Sequence, residues 1–156
     1  MSKKKDKPGP EGVKQIARNR RAFHDFEVVE QVEAGLVLVG TEVKSLRNGQ
    51  VSFNDAYARA RDGEMWLLDL HIAQYPNGSW TNHEPTRPRK LLLHRREIAK
   101  LRTSCERQGL TLIPLELYFK KGLAKLAIGV CRGRKRVDKR QALRAKQDKR
   151  AMDRRD

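Results

Sequence analysis

The chain has 156 residues, room for one domain with tails, and a formal net charge of +16 from 35 Lys and Arg against 19 Asp and Glu. Charge of that size on a small chain makes a polyanion the default partner, either nucleic acid or an anionic membrane surface. No stretch is apolar for the ~20 residues that a membrane span needs, and Met1–Pro10 lacks the apolar run of a secretory signal. Cys105 and Cys131, the two cysteines, have no CxxC or His-rich spacing, which excludes a disulfide frame or zinc site and places the chain in the cytoplasm.

Residues 1–17 are rich in Lys, Pro and Gly without an apolar period and read as a flexible basic arm. Phe26, Val28, Val29 and Val32 favour a strand; Glu33-Ala34-Gly35 reads as a hairpin turn, and Leu36–Val39 as a second, well-buried strand. Thr41 is placed to cap a short helix that carries Glu42 in its first turn and Lys44 and Arg47 toward its end, and Asn48-Gly49 stops it. Val51–Arg61 alternates, with Phe53, Asp55, Tyr57, Arg59 and Arg61 on one side. Asp62-Gly63 is a type I′ hairpin signal, and the return strand, Glu64–Ile72, carries Trp66, Leu68, Leu70 and Ile72 on one face.

Residues 74–88 hold Pro and Gly too densely for regular structure and form a loop that is either mobile or functional, ending in Arg87, Arg89 and Lys90. Leu91–Gln108 reads as a helix, with Leu92, Ile98, Leu101 and Cys105 on one face and Gly109 as its stop. Leu110–Phe119 is a strand in which Pro114 demands an edge or a bulge. Lys121-Gly122 then turns the chain into a last strand with Ala124, Leu126, Ile128 and Val130 inward. The expected fold is mainly β: a small OB-like antiparallel barrel of about six strands over residues 18–132, with one short and one longer α-helix. Residues 132–156 carry 12 basic and 4 acidic side chains. The tail from 133 is rich in helix formers but has no face to bury, so it is expected to be disordered alone and helical against RNA.

No constellation supports catalysis. His24, Asp25 and Glu27 alternate across a strand rather than converge. Cys105 lies on an apolar helical face. His71, His83 and His94 lack metal spacing. Asp62 and Glu64 belong to a hairpin rather than to a metal cluster with Asp55 and Asp69. The chain is therefore read as a binding protein, not an enzyme, with neither metal nor cofactor. Aromatics make up 6% of the chain and none form a base-stacking pair, so Trp66 and Tyr118 are assigned to the core and recognition to phosphates and shape. Glu33 stands apart: in a basic surface it can only accept hydrogen bonds, from a base amino group, an RNA hydroxyl or an orienting arginine, or else it merely ends a hairpin.

Several ordered motifs carry a family resemblance over residues 16–142. They are Asn19-Arg20-Arg21-Ala22, His24-Asp25, Glu33-Ala34-Gly35, Gly40-Thr-Glu-Val-Lys-Ser45, Asp62-Gly63-Glu64, His71-Ile72, Pro85 with Arg87, Arg89-Lys-Leu-Leu-Leu93, Pro114-Leu115 and Asp138-Lys139-Arg140. Together they resemble the SsrA-binding protein (SmpB) family. That resemblance implies an OB-like barrel binding the tRNA-like domain of transfer-messenger RNA in bacterial ribosome rescue. Asn19, Arg21, His24, Glu33, Lys44, Arg87, Lys90 and Leu92 would lie at the RNA. Lys135, Arg136, Asp138, Lys139 and Arg140 of the tail would meet ribosomal RNA in the decoding centre and empty mRNA channel. Elongation factor Tu and alanyl-tRNA synthetase would be reached through the RNA, and no membrane is implied. The chain departs from the family at Val137, where histidine or tyrosine is frequent. A ribosomal or assembly protein binding ribosomal RNA directly would share the charge, barrel and tail.

Overall fold

The alternating segments close into a ring. The computed structural model describes residues 12–76 and 82–133, so most of the expected arm, the loop tip with Trp80 and the tail with its five candidate residues lie outside the described residues. The strands are β1 (Val13–Arg18), β2 (Phe26–Leu36), β3 (Val51–Ser52), β4 (Tyr57–Arg61), β5 (Glu64–Leu68), β6 (His71–Ile72), β7 (Arg89–Leu92), β8 (Thr111–Lys120) and β9 (Leu123–Gly133). The helices are α1 (Arg20–Asp25), α2 (Gly40–Arg47) and α3 (Arg95–Gln108). One antiparallel sheet runs β1-β8-β4-β5-β7-β2-β9, and β9 pairs with β8 to close six of its strands into a barrel, as expected. β3 and β6 pair separately. Among the described residues no helix is long and apolar enough to cross a membrane.

Met65, Leu67, Leu91, Leu117, Leu126 and Ile128 fill the barrel, and Leu46 of α2 and Leu101 of α3 join the same core. A smaller cluster lies on the outer side of the wall, where Ala22 of α1 packs on Ile113, Leu115 and Cys131. The hairpins follow their sequence signals: Asp62-Gly63 adopts φ of 53° and 77°, the left-handed pair a type I′ turn requires. Gly109, at φ 63°, ends α3 as expected.

Several expectations are overturned. Glu33-Ala34-Gly35 is no turn: β2 runs straight through, with Gly35 opposite both Leu92 and Lys125. A Cβ on Gly35 would stand 3.2 Å from Leu92 Cβ, so the glycine serves close packing between strands rather than a bend. Leu36 ends the strand, and Val37 and Val39 beyond it are exposed rather than buried. β1 occupies a stretch expected to be flexible arm, and α1 takes in His24 and Asp25, which are expected on a strand. The face of β5 is inverted, since Met65 and Leu67 point inward and the chain resets at Asp69 (φ 61°) before Leu70 and Ile72. Phe53 is buried together with Ala56 and Ala58, because Asn54 (φ 41°) interrupts the expected alternation. Arg89–Leu92 is a strand, so α3 starts only at Arg95. Pro114 pairs with Ile128 of β9 on one side and faces the gap between the β1 and β4 pairings on the other. A register shift follows it, so the bulge is found although β8 as a whole is not an edge strand.

That bulge anchors α1. Asn19 is buried; its backbone amide donates to the Leu115 carbonyl at 2.7 Å and its side-chain amide to the Pro114 carbonyl at 2.8 Å. Its side-chain oxygen accepts from the Ala22 amide at 3.2 Å as helix N-cap. Replacing Asn19 by Ala strands a buried carbonyl and removes the cap, so urea denaturation should show a loss of about 1–3 kcal/mol. Asn19→Asp keeps the cap acceptor but sets a buried carboxylate oxygen against the Pro114 carbonyl in place of the donor, so it should lose at least as much.

Candidate nucleic-acid interface

Two groups of polar residues stand out on the barrel. The first lies on the outer wall formed by β2, β9 and β8. Neighbouring strand residues face opposite ways, so with Val32 and Ala34 packed toward the core, Glu33 points outward. Its register partner Ala127 packs into the cluster beneath α1, which places α1 on the same wall. Tyr118 is the register partner of Lys125, also outward, and its hydroxyl donates to Glu33 Oε2. Lys120 Nζ stands 3.5 Å from Glu33 Oε1. The Tyr118 hydrogen bond, with Lys120 and Lys125, holds the Glu33 carboxyl below the ordinary glutamate value of 4.5. Burial and the Glu33 carboxylate push the Tyr118 phenol above its ordinary 10. At neutral pH the result is a charged acceptor held by a neutral donor and ringed by lysines.

Leu92, opposite Gly35 and 55% exposed, joins this wall. Lys90 stands two residues before it on the outer face and pairs with Glu64 at 3.0 Å. On α1, Arg21 pairs with Asp25 at 3.3 Å and His24 Nδ1 meets the same carboxylate at 2.9 Å. Among the sequence candidates, Arg21, His24, Glu33, Lys90 and Leu92 therefore all lie on the outer side of the barrel, and Asn19 is spent holding α1 in place.

Lys44 and Arg87 belong to the second group, an open cleft of ≈ 530 Å³ between the start of α2 and residues 82–87. Lys44 Nζ stands 5.4 Å from the centre of the Tyr75 ring. Thr41, expected to cap α2, instead bonds His83 Nδ1 at 2.9 Å, while His83 Nε2 lies 2.8 Å from the Ile72 carbonyl. The N-terminus of α2 is closed by Glu42, whose Oε1 accepts from the Val39 amide at 2.9 Å.

Glu42 is the hub of this end of the barrel. It is fully buried, with Oε1 also accepting from Arg87 Nη2 at 2.6 Å and Oε2 from Arg89 Nε at 2.5 Å. Arg89, equally buried in β7, donates onward from Nη1 to the Leu70 carbonyl at 2.6 Å and from Nη2 to the Pro85 carbonyl at 3.0 Å. Burial raises the Glu42 carboxyl, yet hydrogen bonds from Arg87 and the Val39 amide, with the Arg89 charge, bring it below 4.5. Burial pulls the Arg89 guanidinium below its ordinary value against the opposing pull of Glu42.

Sequence reading did not single out Lys120 or Lys125; it assigned Tyr118 to the core, set His83 aside for want of metal spacing, and grouped Arg89 with Arg87 and Lys90 at the basic end of the loop. Tyr118 and Lys120 were within reach of that reading, because their parity opposes that of inward Leu117. Nothing in the local sequence distinguishes the buried Arg89 from the half-exposed Arg87 two residues earlier.

A closed six-stranded antiparallel barrel, with a basic outer wall around one oriented carboxylate, defines a small single-barrel binding protein. A family model described as "SmpB protein" matches residues 16–156. The chain is 54% identical over 144 residues to an "SsrA-binding protein" of Desulfitobacterium hafniense, covering 92% of each chain. It is 51% identical over 154 residues to one of Thermobifida fusca, covering 99% of this chain and 96% of that one. A solved chain described as "tmRNA-SmpB: a journey to the center of the bacterial ribosome" matches with a TM-score of 0.67 at 49% identity, over 82% of this chain and 94% of that one. The chain belongs to the SmpB family.

The buried pair sets a stability prediction. Arg89→Met leaves Glu42 buried with its main partner gone and should cost about 3–5 kcal/mol in urea denaturation. The double variant Arg89→Met with Glu42→Gln should cost less than Arg89→Met alone, because no uncompensated charge remains. Since the folded pKa of Glu42 lies below its unfolded value, the contribution of the pair is complete above pH 4.5 and is lost as pH falls below it. An acid titration followed by circular dichroism should show that loss in the native chain and a shallower one in the double variant.

Proposed function

We propose that this protein binds the tRNA-like domain of transfer-messenger RNA on the outer wall of its barrel and brings it to stalled ribosomes for trans-translation. The observation that carries this reading is family membership over nearly the whole chain, with relatives described as SsrA-binding proteins. The geometry supports it. Lysines on the wall supply sequence-independent attraction to phosphates, and Glu33 supplies an acceptor that a phosphate cannot satisfy. Arg21, His24, Lys90 and Leu92 share the outer side of the barrel with that acceptor, while Lys44 and Arg87 line the cleft beside α2. Binding, not bond-making, is the activity.

Residues 134–156 continue from β9 and hold Lys135, Arg136, Asp138, Lys139 and Arg140, which in this reading meet ribosomal RNA in the vacant mRNA channel. Val137 supplies no aromatic ring there, so charge and not stacking carries the contact. Elongation factor Tu and alanyl-tRNA synthetase act on the RNA partner and need no surface on this chain.

The test is a binding titration at rising salt against the tRNA-like domain, an ordinary tRNA and an unrelated duplex. The expected result is a preference for the first that survives as total affinity falls. Affinities that collapse together would instead favour a direct ribosomal-RNA binder. Lys90→Ala should weaken all three RNAs alike and reduce the log–log salt slope by about 0.7–0.9, the share of one phosphate contact. Deleting residues 134–156 should leave binding to the tRNA-like domain intact and abolish tagging in a reconstituted translation assay; full tagging by the truncated chain would remove the tail from the mechanism.

A further inference from the structure

Glu33 and Tyr118 stand 85 residues apart in sequence, yet β9 lies between their strands and brings both to one outer surface. A carboxylate on a long side chain ordinarily samples several rotamers and presents either oxygen in many directions, and fixing it at the moment of binding costs entropy. Here Oε2 is held by the Tyr118 hydroxyl before any partner arrives. Lys120 lies at the outer edge of hydrogen-bond range from Oε1, at 3.5 Å, and both side chains of that pair are about two-fifths exposed (43% and 41%). Such a pair is weak and exchangeable. Oε1 is thus the oxygen left to accept a further hydrogen bond.

We propose that Tyr118 is a positioning residue for RNA recognition through Glu33: it anchors Oε2 so that Oε1 meets an N–H or O–H donor of the RNA at a set place. The proposal rests on the reading of Glu33 as an RNA contact. Backbone phosphate offers no donor and is repelled by a carboxylate, so this pair discriminates among RNAs while the lysines around it attract them all. The low pKa of Glu33 keeps it an acceptor throughout the neutral range.

The experiment is a double-mutant cycle in the full-length chain, read as affinity for a transcript of the tRNA-like domain and for an ordinary tRNA. Tyr118→Phe removes one oxygen and should lower affinity for the tRNA-like transcript by roughly tenfold, the cost of ordering a freed glutamate, while ordinary tRNA is unaffected. Glu33→Gln should abolish the preference, and Tyr118→Phe in that background should then change nothing. Glu33→Asp keeps the charge, alters no core residue and shortens the reach, so it should mimic Tyr118→Phe if the latter variant proves unstable. Single-nucleotide inosine and 2′-deoxy substitutions distinguish a base amino donor from a ribose hydroxyl, since the transcript lacking the donor loses its sensitivity to Glu33→Gln.

Equal losses from Tyr118→Phe in both backgrounds, or on both RNAs, would overturn the proposal. If Glu33→Gln abolishes the preference while Tyr118→Phe and Glu33→Asp preserve it, the RNA contact stands and the positioning role falls. If Glu33→Gln leaves the preference intact, the RNA contact itself fails and takes the proposal with it.

Discussion

The buried ion pair between Glu42 and Arg89 is the constraint around which this end of the barrel is arranged. Two charges removed from water are costly, and their attraction repays the cost only if the remaining donors and acceptors are also met. They are met here by structure from four places: the Val39 amide at the start of α2, the Leu70 carbonyl after β5, the Pro85 carbonyl of the long loop, and Arg87. Each satisfied bond fixes a segment with little regular structure of its own. The pair therefore does for the irregular side of the barrel what the strand ladder does for the rest: it leaves one arrangement in which no buried charge is unpaired.

Binding, in the proposed function, is divided between two kinds of electrostatics. Exposed lysine–carboxylate pairs such as Lys120 with Glu33 and Lys90 with Glu64 contribute at most about 1 kcal/mol each to stability, so such lysines are available to exchange a carboxylate for a phosphate. The Tyr118–Glu33 bond is of another kind, since a neutral donor neither cancels the carboxylate charge nor competes for phosphate. Strong net charge then supplies encounter and affinity, while one oriented acceptor supplies selection.

The differences between sequence reading and structure have a common origin. A glycine after Glu33-Ala34 carries two meanings, a turn or a close approach of backbone and side chain, and only the position of Leu92 decides between them. Trp66 and Met65 both suit a strand interior; the wide left-handed bend at Asp69 chooses Met65 by resetting the phase before Leu70. Tyr118, assigned to the core because the aromatics form no base-stacking pair, is placed outward by its pairing with Lys125. For the glycine and the tyrosine a partner strand selects between readings that the local residues permit, and for Trp66 and Met65 a bend in the chain does.

By itself the sequence determined the kind of protein. The +16 charge, the alternating runs, the Asp62-Gly63 hairpin, the stop at Gly109, the bulge at Pro114 and the ordered motifs of the family are all local or compositional, and each acts through a residue's own backbone preference or charge. The tertiary structure alone decided which side chains meet. That Arg89 is buried while Arg87 is half exposed, that Asn19 clamps a bulge 95 residues away, and that Tyr118 holds Glu33 depend on closure of the β8–β9–β2 wall and of the ring around it. The reason is physical: burial and hydrogen-bond geometry are set by strand register across the barrel, a property of pairs of segments that neither segment carries alone.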